Sequence, residues 1–170
     1  PNLSRDMAPD TLRVLVADDH DIVRLGVRHL LGERANVTDV ASLNEVRAQL
    51  AASPFDLLLL DLGLGEDFSL QALPRLREAH PALKILVLSS MAEEIFAERV
   101  LRAGADGFVS KAALSGVLMQ AVDVVMAGGV YASPAIAGAL MRRVAGRADA
   151  ASSSPELSPR EVEVRFAIDA

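Results

Sequence analysis

Four consecutive leucines, Leu57–Leu60, constrain this chain more than any other feature. The run is too short to be a helix on its own. It also lacks the polar alternation of a strand with one wet face, so it reads as a strand covered on both sides, as in a parallel sheet between two helical layers. Similar runs stand at Leu12–Ala17 (LRVLVA) and Lys84–Ser89 (KILVLS), with weaker ones at Val37–Ala41 and Gly107–Ser110. Segments of helical spacing separate them: Asp21–Glu33, Leu43–Ala51, Leu70–His80, Glu93–Ala103 and Leu114–Ala127. Ser42 is a suitable N-cap, His80-Pro81 ends the third helix, and Gly104 and Gly128-Gly129 stop the fourth and fifth. Five such units predict an α/β, doubly wound, five-stranded parallel sheet. In helix 1, Ile22 and Leu25 are expected to face mostly the core. In helix 5, Val117, Leu118, Val122 and Val125 are expected to do the same.

The residues that close these runs carry chemistry. Asp18 and Asp19 follow the first run, Asp61 closes the third, Ser89 the fourth, and Lys111 follows the fifth. A parallel sheet gathers the carboxyl ends of its strands along one rim, where ligands bind. Three carboxylates, a hydroxyl and an ammonium would therefore meet. Singly, each is an ordinary cap, turn or solvated residue. In this order they suit a hard divalent cation and a phosphoryl group. A carboxylate is itself a competent nucleophile toward phosphorus.

Other classes of function lose support. No GxGxxG follows the first strand, and no GxxxxGK[ST] occurs, so dinucleotide and P-loop readings fall away. The chain has no cysteine, which excludes disulfides and thiolate sites, and its three histidines (20, 29 and 80) form no metal-spaced pair. A net charge of −6 disfavours broad electrostatic binding to nucleic acid or anionic membrane. No stretch is long and apolar enough to span a bilayer, and residues 1–11 lack a signal-peptide core, so a cytoplasmic protein is expected.

The segments VLVADDH (14–20), LLLLDL (57–62), ILVLSS (85–90) and GADGFVSK (104–111) together resemble the receiver domain of bacterial two-component response regulators. The subgroup is the one with LuxR/NarL-type helix-turn-helix output (the NarL/FixJ group), and the likeness spans about residues 12–130. It implies a flavodoxin-like (CheY-like) sheet of order 2-1-3-4-5. It further implies that Asp61 accepts a phosphoryl group from a sensor histidine kinase. Asp19, with Asp18 assisting, Asp61 and the Gly63 carbonyl would hold Mg²⁺. Ser89 would be the switch hydroxyl, and Lys111 would pair with the phosphate. Phe108 would stand at the aromatic switch position, or be an ordinary core aromatic. Activation would repack helix 4, strand 5 and helix 5 (about 93–127) and favour a homodimer. Such a protein is a phosphorylated regulator and not an enzyme acting on a free substrate. An Asp-nucleophile hydrolase is the weaker alternative, because Gly63 stands where a DxD pair beginning at Asp61 would need its second Asp.

Two departures from the family pattern stand out. Gly65 replaces the usual Pro four residues after the acceptor, and Glu66-Asp67-Phe68-Ser69 follows where glycines are common. Beyond the domain, Ser133-Pro134 opens a linker helix within 131–147, and residues 148–156 have the composition of a flexible linker. LSPREVEV (157–164) resembles the opening of a LuxR-type DNA-binding domain, but 157–170 can hold only its first helix. DNA binding is thus expected only through a complete domain. A receiver without DNA output, acting by protein contacts or as a phosphate sink, is the alternative.

Overall fold

In the computed structural model, residues 11–65 and 69–150 are described, with side chains through Gly146. Five strands, β1 (Leu12–Ala17), β2 (Ala35–Val40), β3 (Leu57–Asp61), β4 (Lys84–Ser89) and β5 (Gly107–Ser110), form one parallel sheet of order β2-β1-β3-β4-β5. The helices are α1 (Asp21–Leu31), α2 (Leu43–Ala52), α3 (Ser69–Ala79), α4 (Glu93–Ala103), α5 (Leu114–Met126) and α6 (Pro134–Ala150). The order is the one expected from the sequence.

Alternation along the apolar runs splits the core in two. Leu15, Leu58, Leu60, Ile85, Val87 and Phe108 pack on one face, under α2, α3 and α4. Val14, Val16, Leu57, Leu59, Leu86 and Leu88 pack on the other, against α1 and α5. Every residue of β3 is buried, as a strand covered on both faces requires. The register β1–β3–β4 places Ala17 opposite Leu60 and Asp61 opposite Leu88, which brings the ends of the three central strands level.

Local chemistry sets several boundaries. Ser42 caps α2 by accepting the Glu45 N–H at 3.2 Å, and Glu45 Oε2 accepts the Ala41 N–H at 3.0 Å. Gly104, at φ 122, ends α4 in a conformation that favours glycine. Gly32, at φ 54, ends α1 before Glu33, where the spacing had carried the helix. The freed residues let β2 begin at Ala35, opposite Leu12, two residues earlier than its apolar pattern suggested. The Arg77 guanidinium of α3 pairs with the largely buried Asp106 at 2.7 Å and donates to the Gly104 carbonyl at 2.9 Å. Asp106 also accepts the Ile85 N–H, so one ion pair ties α3 to the entrances of β4 and β5.

Two expectations about the helical faces are corrected. Ile22 and Leu25 are 78% and 63% exposed, and α1 instead buries Val27 and Leu31. Helix α1 is apolar on two sides, and its seat against α5 and the β1–β2 side of the sheet selects the Val27/Leu31 side. In α5, Leu118, Val122 and Val125 are buried as expected, whereas Val117 is only partly covered.

After α5 the chain returns to the sheet. Tyr131 bridges to Gly107 of β5: the Phe108 N–H donates to the Tyr131 carbonyl, and the Tyr131 N–H donates to the Asp106 carbonyl, both at 3.0 Å. Ser133 then caps α6, with Pro134 at its first position. Ile136 and Ala137 are buried and Leu140 partly so in the cluster that includes Ala97 and Val100 of α4, and Arg143 pairs with Glu98. The helix runs to Ala150, past the 131–147 range expected for it and into the first residues read as linker. Residues 1–10, Glu66-Asp67-Phe68 and 151–170, with the remainder of that linker and the LuxR-like opening, lie outside the described residues.

Candidate phosphoacceptor and cation site

The β1–α1 turn presents two carboxylates in unlike surroundings. Asp18 is fully buried and its N–H donates to Val40 O at 3.1 Å, which anchors the turn to β2. Its Oδ1 accepts the His20 N–H at 2.8 Å, and Arg24 donates to its carbonyl at 2.6 Å. The Asp19 side chain is about half exposed. The turn thus holds one carboxylate rigidly and leaves the other facing water.

Asp61, at the end of β3, is 4% exposed. Its Oδ1 accepts the Gly63 N–H at 3.1 Å. The loop behind it is anchored by a serine: Ser69 Oγ donates to the Asp61 carbonyl at 2.7 Å, and Ser69 N–H donates to Leu62 O at 2.9 Å. Ser69 is fully buried, and its two bonds tie the start of α3 to the end of β3. Gly65 has φ 75, a conformation closed to the usual proline. A Cβ on Gly63 would meet Met91 Cε at 3.7 Å and Asp61 Oδ1 at 3.9 Å, both ordinary contacts, so the steric environment does not demand glycine there.

Lys111 joins the carboxylates. Its Nζ lies 2.7 Å from Asp18 Oδ2 and 3.2 Å from Asp61 Oδ1. Burial pushes the Asp61 pKa up, the Asp18 charge adds to this, and Lys111 and the Gly63 N–H only partly offset it. For Lys111, burial pulls the pKa down, but the bonds and charges of Asp18 and Asp61 outweigh it and the ammonium is raised. The site thus holds its lysine charged while making the ionised form of Asp61 costly. An added positive charge would relieve that cost.

Ser89, almost fully buried at the end of β4, accepts the Met91 N–H on its Oγ at 2.9 Å. Phe108 is 1% exposed and lies in the core cluster with Val100, Ala132 and Ile136. In this conformation it is a core aromatic.

The donor chemistry fits a divalent cation. Asp18, Asp19, His20 and Asp61 each offer a ligand atom, all within 4.8 Å of one another. Three of the four are the carboxylates singled out from the sequence. His20 is the residue the sequence reading passed over, because it looked for histidines paired with one another. Its signal was its place directly after two acidic residues at a strand end.

The family model described as response regulator receiver domain matches residues 14–123. The chain is 32% identical over 163 residues to response regulator GacA of Pseudomonas protegens, covering 92% of this chain and 75% of that protein. It is 34% identical over 155 residues to the transcriptional activator protein ExaE of Pseudomonas putida, covering 89% and 72%. Among solved structures, a LuxR-family two-component response regulator from Aurantimonas sp. superposes with a TM-score of 0.69 at 31% identity, covering 75% of this chain and 94% of that one.

Proposed function

The chain belongs to the response regulator receiver domain family, and from that premise we propose that Asp61 is the acceptor of a phosphoryl group donated by a sensor histidine kinase. One Asp61 carboxylate oxygen forms the new P–O bond while the P–N bond of the donor phosphohistidine breaks and the imidazole leaves. The single observation that supports this reading most is the buried Asp61 carboxylate bridged to Asp18 through Lys111. Lys111 would neutralise a phosphoryl oxygen, and Ser89, one strand over, whose Oγ accepts the Met91 N–H, would donate its hydroxyl proton to another. A bound Mg²⁺, held by Asp18, Asp19, Asp61 and the Gly63 carbonyl, would neutralise further phosphoryl charge.

Acting this way, the protein is a regulator and does not turn over free substrates. Phosphorylation would draw Ser89 toward Asp61 and repack α4, β5 and α5, with Phe108 changing its seat. Because α6 rests on α4 through Ile136, Leu140 and the Arg143–Glu98 pair, that change would reach the linker helix and favour a homodimer. DNA would be engaged through a complete LuxR-type output domain, in the cytoplasm. The test is phosphorylation by a small phosphodonor, read by intact mass, with and without Mg²⁺. A Mg²⁺-dependent single-phosphoryl adduct that vanishes in Asp61→Ala supports the reading. No adduct under any condition refutes it.

A further inference from the structure

The cation site contains a donor that Mg²⁺ does not prefer. His20 Nδ1 lies 3.0 Å from Asp18 Oδ1 and 3.0 Å from Asp19 Oδ1. The His20 backbone is fixed: its N–H donates to Asp18 Oδ1, and its carbonyl accepts the Val23 and Arg24 N–H groups that open α1. Lys111 serves the other edge of Asp18, at Oδ2. Two carboxylate oxygens and an imidazole nitrogen therefore converge, with either an Nδ1–H or a bound cation between them. In the tautomer that carries its proton on Nε2, the Nδ1 lone pair is directed at that point; with the side chain 63% exposed, Nε2 remains free to meet water.

We infer that His20 Nδ1 is a direct ligand of this site, and that the site consequently takes imidazole-accepting divalent transition ions (Mn²⁺, Co²⁺, Ni²⁺, Zn²⁺) more tightly than Mg²⁺. The inference rests on the receiver cation site proposed above and concerns its selectivity. Mg²⁺ demands oxygen and surrenders water reluctantly, so an imidazole adds little to its binding. First-row transition ions accept imidazole readily, and their affinity for a mixed N/O site rises along the series toward copper. Three carboxylates alone would give an oxygen site. The fourth donor changes its class.

Pulsed electron paramagnetic resonance of Mn²⁺ bound to the intact chain tests this directly. Nitrogen-14 modulation from a coordinated imidazole is expected in the wild type and absent in His20→Asn, which still binds Mn²⁺. In parallel, titration with Ni²⁺ and Mg²⁺ should show Ni²⁺ binding weakened about tenfold or more by His20→Asn, with Mg²⁺ binding changed less than about twofold. Mn²⁺ binding that depends on Asp19 and Asp61 but shows no nitrogen coupling would overturn the role of His20 and leave the cation site standing. Nitrogen coupling that persists in His20→Asn would also overturn it, by assigning the signal to another histidine. No Mn²⁺ binding at all would overturn the cation site itself.

Discussion

Replacing Lys111 with alanine probes the electrostatic core of the site. The substitution strips the Lys111 ammonium from two buried carboxylates, Asp18 at 2.7 Å and Asp61 at 3.2 Å. Removing one member of a buried ion pair leaves an uncompensated charge and costs about 3–5 kcal/mol. For a chain of this size that is a fall in Tm of roughly 6–20 °C, at about 2–4 °C per kcal/mol. The pH dependence carries the sharper test. Asp61 already has a raised pKa, first through burial and then through Asp18. For a raised carboxyl, the stability it contributes is present below the unfolded pKa and is lost as pH rises through the folded one. Without Lys111 that loss deepens, so Lys111→Ala should be hurt most near neutral and alkaline pH. Lys111 itself is raised, so its contribution is fully present below the ordinary lysine range, about 10.4, and is lost only above it. Between about pH 5 and 8 the difference between the two proteins therefore reports the carboxylates. Urea unfolding of both at about pH 8 and pH 5 should give a deficit of about 3 kcal/mol or more that shrinks on acidification. A deficit equal at both pH values would mean that Lys111 acts through the packing of its stem, and the electrostatic account would fail.

Three further outcomes follow from the packing. Gly107→Ala would place a Cβ 2.7 Å from Leu86 Cδ1 and 3.0 Å from both Tyr131 Cβ and its carbonyl oxygen. It should cost about 1–3 kcal/mol in urea unfolding, and an unchanged midpoint would contradict the close approach. Ser69→Ala should cost only about 1 kcal/mol, because the Asp61 carbonyl still accepts the Leu64 N–H at 3.3 Å; a loss several times larger would show that the junction of β3 with α3 depends on that hydroxyl far more than one bond explains. Ile22→Ser should leave stability within about 0.5 kcal/mol, since the side chain is 78% exposed, and a large loss in thermal denaturation would place it in the core after all.

How much of this was legible in the sequence differs by element. The strands β1, β3 and β4 announce themselves because each is apolar on both alternating faces, which only a doubly covered sheet rewards. The same logic placed Asp18, Asp61, Ser89 and Lys111 at strand ends, and the geometry joins Asp18 and Asp61 through Lys111. Helix α1 shows where pattern runs out. Ile22, Val23, Leu25, Val27, Leu30 and Leu31 put apolar residues on two sides, and periodicity cannot say which side meets the sheet. The start of β2 was hidden for a related reason, since it is set by pairing of Ala35 with Leu12 across the sheet. His20 was overlooked because spacing between histidines was the criterion, whereas its significance lies in proximity to carboxylates.

The contact of Tyr131 with β5 has a consequence for the molecule among its own copies. A bare strand at the border of a sheet exposes a row of amide and carbonyl groups that another chain can pair with. Here the Phe108 amide and the Asp106 carbonyl on that border are already taken by Tyr131. The opening of the linker to α6 thus covers these two groups with a single bridge. Lifting this segment from β5 would leave those two groups open to pairing with another chain.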